Sequence, residues 1–331
     1  MYSIETNSLL KEFGKVTAVD NISFEVEEKE IFGFLGPNGA GKSTTMMILT
    51  TLLKPTSGKA RVAGFDVVTQ AKNVRQNIGF VQQETTVDEF LTGRENLILQ
   101  SRLNHIPKNI AQKRIDEILQ LIELSDKQNQ PVVTYSGGMR KRLDIAGGLL
   151  HMPKVLFLDE PTVGLDIQTR RKIWEYIKKI HDEFQMTIFL STHYMEEADK
   201  LCGRIGIIDY GKIQAIDSPQ TMKDSLGNEV ITFSTFEKPD SKIFEKIKEI
   251  ALVTEISSSE EQITVYANKA TEVVPQIFQI SSGMGIKIKT LSISQPTLDD
   301  VFISYTGHEL RDEANGYNKR KEHAKMKRLR A

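Results

Sequence analysis

Apolar and polar positions along the chain follow three different rhythms. From residue 22, ISFEVEEKEIFGFL first alternates apolar with polar and then runs almost continuously apolar, which predicts a half-buried strand, a turn and a fully buried strand. The buried run ends in GPNGAGKSTT (residues 36–45), where STTMMILTTLL takes up helical spacing. Shorter apolar runs follow at IGFVQQ, KVLFLDE, TIFLST and RIGIID, separated by helical patterns. That alternation predicts an α/β core, a mostly parallel sheet covered by helices. Over about residues 88–150 the period changes: DEFLTGRENLILQSRL and NIAQKRIDEILQLIEL repeat their apolar residues at three and four, predicting a small helical subdomain. After about Gly227 the order is strand, helix, strand, strand, helix, strand, the split βαβ pattern of ferredoxin-like domains. The expected organisation is a first domain over residues 1–225, a small α+β accessory domain over 226–310, and a tail at 311–331.

Composition narrows the setting. No apolar run approaches the roughly 20 residues needed to cross a bilayer as a helix, and MYSIETNSLL lacks the basic start and apolar stretch of a secretory signal. Cys202 is the only cysteine, so no disulfide forms within the chain, and a cytoplasmic location is the simplest reading. The net charge of −1 hides an asymmetry: NKRKEHAKMKRLRA (318–331) carries seven Lys or Arg against one Glu, +6, leaving −7 for residues 1–317. Such an end suits anionic lipid or nucleic acid, but a solvated, disordered tail is the reading we favour.

Five stretches carry chemistry. Gly36, Pro37, Asn38, Gly39, Ala40, Gly41, Lys42 and Ser43 fit the phosphate-loop pattern between a strand and a helix; small residues let backbone N–H groups close around phosphates, and the helix dipole adds positive charge. Lys42 would reach the β and γ phosphates, Ser43 would ligate Mg²⁺ and Thr44 would donate to a phosphate oxygen. KVLFLDEPT sets Asp159 and Glu160 at the carboxyl end of an apolar strand, where open α/β sheets bind ligands. Asp159 suits the hydrated Mg²⁺, and Glu160 suits polarising the attacking water. TIFLSTH ends a further strand in His193, placed to donate to the γ-phosphate or hold the water, and IGFVQQE ends one in Gln82 and Gln83, either of which would offer Mg²⁺ an amide oxygen. YSGGMRKRLD sets a serine and two glycines at a helix start, a second phosphate cradle in a chain that already has one.

Phosphate loop, IGFVQQ, YSGGM, LDEPT, VGLD and STH, in that order over roughly residues 4–220, resemble the ATP-binding subunit of an ABC transporter. The resemblance implies a β-subdomain, a RecA-like core and a helical subdomain, with ATP and Mg²⁺ as ligands. It also assigns roles: Phe13 stacks on adenine, Gln83 meets Mg²⁺ and the permease, and Ser136, with Gly137 and Gly138, forms the signature turn. Glu160 becomes the catalytic glutamate, Asp166 the aspartate that communicates across the dimer, and His193 the switch histidine. Gln82 stands where the family often has proline, and Met139 where the signature commonly has glutamine. VDEFLTGRENL, the long stretch from TYSGGM to VGLD, and QPTLDDVFISYTGHE are more narrowly similar to daunorubicin-resistance ATP-binding subunits, which pair with a separately encoded export permease. In that group residues 231–305 match an accessory domain, for which a packing or dimer-supporting role is preferred to a regulatory site.

The resemblance therefore implies an ATPase that works as a sandwich homodimer on the cytoplasmic face of the membrane, reaching the membrane through an integral permease and exporting a drug-like, lipid or polysaccharide substrate. The alternative from another class is a soluble ABC ATPase acting on nucleic acid or the ribosome. One phosphate loop, and only about fifty residues between Gln83 and Ser136, argue against it, so nucleic acid is not expected as a partner. A plain ATP-dependent kinase would need an acceptor pocket that the sequence does not offer.

Overall fold

The structure is a computed structural model that describes residues 1–236, 241–258 and 263–307. The tail expected at 311–331 lies outside the described residues. The chain divides into two compact units, one spanning Met1–Ile216 and the other beginning at Asp217.

At the centre of the first unit, six strands lie in the spatial order Lys212–Asp217, Arg204–Asp209, Ile31–Leu35, Thr187–Thr192, Val155–Asp159, Ile78–Val81. Neighbours from Arg204–Asp209 to Ile78–Val81 run parallel. Their continuous apolar sequences follow from burial on both faces, as IFGFL and TIFLST illustrate, with every residue buried. Leu35 pairs with Thr192 and Asp159 with Ser191, so three neighbouring strands end at one edge. Their loops carry residues 36–43, Glu160 and His193.

A second sheet, ordered Val16–Glu27, Tyr2–Phe13, Ser57–Val62, Phe65–Asp66, packs against the first. Tyr2–Phe13 escapes the alternation rule because register shifts interrupt it near Thr6 and Leu9, which breaks the period of two. Phe24 from this sheet stacks on Phe32, Phe34 and Phe189 at 5.9, 5.5 and 6.0 Å, and Phe157 joins Phe189 at 5.6 Å. Burying each ring contributes about 1.5–3 kcal/mol. The strand that feeds the phosphate loop is thereby fixed beneath it.

The helical subdomain contains Gly93–Leu103 and Lys108–Leu121, followed by Gly137–Leu149. The first begins later than its apolar pattern because Thr92 and Glu95 cap each other: Glu95 N donates to Thr92 Oγ1 at 3.2 Å and Thr92 N to the Glu95 carboxylate at 2.8 Å.

In the second unit, Val253–Ser258, Ile263–Ala267, Glu229–Thr235 and Ile288–Ser294 form an antiparallel sheet in that order. Helices Ser241–Lys248 and Ala270–Gly283 fall between strands as the periodicity predicts, and the core gathers around Ile231, Phe233, Val265 and Ile277. A closing helix, Leu298–Thr306, begins where Thr297 and Asp300 cap each other, and the sequence patterns gave no element there. Among the described residues no helix is long and apolar enough to cross a membrane.

Candidate functional site

The helix Lys42–Leu49 opens without a side-chain cap, because its N-cap is Gly41 at φ 105°. A Cβ at Gly41 would also sit 2.4 Å from the carbonyl oxygen of Ala18, so only glycine fits there. The first N–H groups of the helix thus meet no capping side chain, the arrangement that attracts an anion. Lys42, 4% exposed, donates to the carbonyls of Gly36 at 2.7 Å and Pro37 at 3.1 Å and pairs with Glu160 Oε1 at 3.1 Å. Burial pushes its amine down, and the Glu160 and Asp159 charges oppose that shift.

Asp159 and Glu160 leave their strand in different directions. Asp159 Oδ1 accepts from Ser43 Oγ at 3.3 Å and, in a short bond, from Ser191 Oγ. Glu160 adopts φ 44°, an uncommon backbone for a residue with a Cβ, and its N–H meets the Ser191 carbonyl and hydroxyl, both at 3.1 Å. Its side chain reaches Lys42 with one oxygen, while the other lies 3.2 Å from His193 Nδ1, close but not aligned as a hydrogen bond. Burial alone would raise the Glu160 carboxyl, but His193 and Lys42 outweigh it and hold the group below its usual range. Lys42, Ser43, Asp159, Glu160 and His193 therefore form one connected cluster.

Other residues singled out in the sequence stand apart from that cluster. Ser136 caps the helix Gly137–Leu149, accepting from Met139 N at 3.3 Å, and is exposed. Gly138 abuts the helix Ile167–Phe184: a Cβ there would lie 2.4 Å from Thr169 Cγ2. Asp166 caps that same helix, exposed, accepting from Thr169 N at 3.0 Å and Oγ1 at 2.6 Å, bonds that hold its carboxyl low. Phe13 is 49% exposed, with Lys11 Nζ 5.0 Å from its ring centre. The Gln83 side chain is exposed, and its backbone carbonyl accepts from Lys141 at 3.2 Å. Among the described residues no hydrogen bond or ion pair joins Ser136, Asp166, Phe13 or the Gln83 side chain to the cluster. Nothing in the structure explains the Met139 side chain.

Two contributors escaped the sequence reading. Ser191 ties Asp159 to the Glu160 backbone, and the only hint was its place two residues before His193. Glu197, fully buried, accepts from Thr162 Oγ1 and Trp174 Nε1, both at 2.8 Å, and burial pushes its carboxyl up. It lies one turn past His193 and braces the segment after Glu160, but as one acid in MEEAD it carried no signal.

The cluster fits a nucleoside triphosphate with a magnesium ion: uncapped helix N–H groups and a buried amine suit phosphate, and the Ser43 hydroxyl and Asp159 carboxylate are the oxygen donors that magnesium takes. Comparisons with known proteins agree. The family model "ABC transporter" matches residues 19–163, and "ATP-binding protein DrrA1-3-like, C-terminal domain" matches 218–306. The chain is 37% identical to the daunorubicin resistance ATP-binding protein DrrA2 of Streptomyces coeruleorubidus, over 93% of this chain and 96% of that one. It is 34% identical to the linearmycin resistance ATP-binding protein LnrL of Bacillus subtilis (strain 168), over 93% of this chain and 100% of that one. Among solved structures it is similar to the ATP-binding cassette MJ0796, a dimer in a post-hydrolysis state bound to ADP and Pi, at TM-score 0.57 and 27% identity, covering 65% of this chain and 98% of that one. The chain belongs to the ATP-binding, ATP-hydrolysing subunits of ABC transporters, in the group of the daunorubicin- and linearmycin-resistance proteins.

Proposed function

We propose that two copies of this chain close face to face on two molecules of ATP with Mg²⁺, and that closure and reopening drive export through a separately encoded membrane permease. One observation carries the reading: Lys42, Ser43, Asp159, Glu160 and His193 form a connected cluster, whereas Ser136 and Asp166 are exposed and, among the described residues, bonded only within their own helices. A second chain would bring its Ser136 turn and Asp166 to complete the site.

In this reading Phe13 stacks on the adenine and the backbone from Gly36 to Gly41 (Gly36, Pro37, Asn38, Gly39, Ala40, Gly41) surrounds the phosphates, with Thr44 donating beside it. Lys42 exchanges its Glu160 partner for the β and γ phosphates, which frees Glu160 to accept a proton from the attacking water while His193 holds the γ-phosphate. Ser43, Asp159 and Gln83 would hold magnesium, which would supply positive charge to neutralise phosphate charge in the transition state. The partner's Ser136 hydroxyl, Gly137 and Gly138 N–H groups and helix dipole complete the γ-phosphate contacts, and Asp166 reports across the interface. Loss of that phosphate removes the bridge, and reopening moves the permease segments seated near Gln83.

The relatives' names, daunorubicin and linearmycin resistance, support a drug-like cargo, the family resemblance extends the range to a lipid or polysaccharide, and the subunit works on the cytoplasmic face of the membrane. Isolation of the native complex from membranes tests this. A co-purifying permease that stimulates ATP hydrolysis when reconstituted supports the reading, and a chain that purifies on nucleic acid or ribosomes, with salt-sensitive binding, overturns it.

A further inference from the structure

Two charged side chains of the helix Gly137–Leu149 are buried outside the hydrogen-bonded nucleotide cluster, although Lys141 still feels the charge of Asp159. Lys141 and Asp144 lie one turn apart and are 4% and 5% exposed. Lys141 Nζ donates to the backbone carbonyls of Gln82 at 2.6 Å and Gln83 at 3.2 Å. Asp144 Oδ1 accepts from Thr86 N at 3.2 Å and Thr86 Oγ1 at 2.7 Å, and its other oxygen lies 3.9 Å from Lys141 Nζ. One cation and one anion from a single helix therefore grip both ends of the segment 82–86, which leaves the core strand Ile78–Val81 and carries Gln83.

Packing does not require these charges. Leu143, Ile145, Ala146 and Leu149 already bury the apolar face of the helix, and an ion pair taken out of water is generally no more stabilising than apolar residues of similar volume. Burial works against both ions, pushing the Lys141 amine down and the Asp144 carboxyl up. What the pair does supply is directional attachment: each ion is matched to a backbone group or hydroxyl of one short segment, and moving that segment away would strand a buried charge.

We infer that Lys141 and Asp144 are positioning residues that lock the Gln83 segment to the Ser136 helix, so that the two move as one body when ATP closes the dimer. This rests on the reading that Ser136 meets nucleotide on a second chain. The helix is a stiff rod, and Lys141 follows Ser136 by about 7.5 Å of rise. Displacement of its N-terminus by phosphate is delivered to Gln83 through the two clamps. Linkage makes the effect reciprocal, so a permease that holds the Gln83 segment biases closure by the same factor.

The test uses the full chain in an Glu160→Gln background, with Lys141→Met, the apolar double variant Lys141→Met/Asp144→Leu, and the conservative Lys141→Arg. Sedimentation across an ATP–Mg²⁺ titration reads dimer formation, a fluorescent ATP analogue reads monomer binding, and hydrogen exchange without nucleotide reads the amides of residues 83–87. The clamp predicts that both Met-containing variants need about 10-fold more ATP to dimerise, while analogue affinity stays within about 2-fold and Lys141→Arg behaves as the parent. It also predicts faster exchange at Thr86 in the double variant, which removes both charges together and so avoids an unpaired buried ion. A folded double variant that exchanges and dimerises as the parent does overturns the clamp. If instead exchange rises but the Glu160→Gln parent stays monomeric in ATP, the lock stands, and the dimer reading falls together with the coupling inferred from it.

Discussion

The buried and the exposed parts of the site differ in how many of their polar groups are already engaged. Lys42 and Glu160 are 4% and 7% exposed, and with Asp159 and Ser191 they form hydrogen bonds and ion pairs within one chain. Ser136 and Asp166 face solvent and, among the described residues, bond only to the first turns of their own helices. The first set has its geometry fixed by parallel strands and an aromatic core. The second has its geometry fixed by helix starts and, in the dimer proposed above, would gain its chemical use when another surface arrives. A site divided in this way would respond to assembly as well as to ligand.

The largest effect is expected on the buried side. Glu160→Gln should lower turnover by about 10²–10⁴-fold, the scale of a lost general base, with ATP still bound; phosphate release near the wild-type rate would remove Glu160 from the chemistry. On the exposed side, Ser136→Arg should reduce hydrolysis by about 10²–10³-fold, as for a lost transition-state donor, while monomer affinity for ATP stays within about 2-fold. A large loss of monomer affinity would mean that Ser136 serves its own chain's nucleotide. Ser191→Ala removes the bond to Asp159 and one acceptor of the Glu160 N–H, and about 1–1.5 kcal/mol corresponds to a turnover roughly 10-fold lower in steady-state assays. Phe13→Ala should weaken ATP binding by only about 3–5-fold, the size of one stacking contact, measured by equilibrium titration.

The buried cluster also has a pH signature. Because His193 and Lys42 outweigh burial and hold the Glu160 carboxyl below its ordinary value, the ion pair contributes fully above that value, about 4.3, and its contribution is lost as pH falls through the lower folded value. The stability gap between wild type and Glu160→Gln in urea unfolding should therefore be level from about pH 8 to 5 and close in stronger acid. A gap that widens in acid would reverse the sign of the assignment.

Much of this was legible from residue order. Continuous apolar runs marked the central strands because those strands are covered on both faces, and the same runs placed Asp159, Glu160 and His193 at strand ends. The split βαβ order of the second unit followed from clean changes between periods of two and 3.6. Where periodicity is interrupted, local sequence does not mark the element. Bulges hid Tyr2–Phe13, the Thr92 cap shifted the start of Gly93–Leu103, and Leu298–Thr306 gave too short an apolar pattern. Ser191, Lys141 and Asp144 were invisible for another reason: the groups they bind outside their own elements are 31 to 59 residues away in sequence. Such pairings arise from sheet order and helix docking, which no local pattern encodes.

Completion of the site by the exposed turn of another copy can be read by sedimentation of Glu160→Gln with and without Ser136→Arg in ATP–Mg²⁺ and in ADP–Mg²⁺. If the turn completes the site, Glu160→Gln dimerises in ATP alone and the double variant stays monomeric in either nucleotide. A double variant that dimerises in ATP as readily as Glu160→Gln would contradict it.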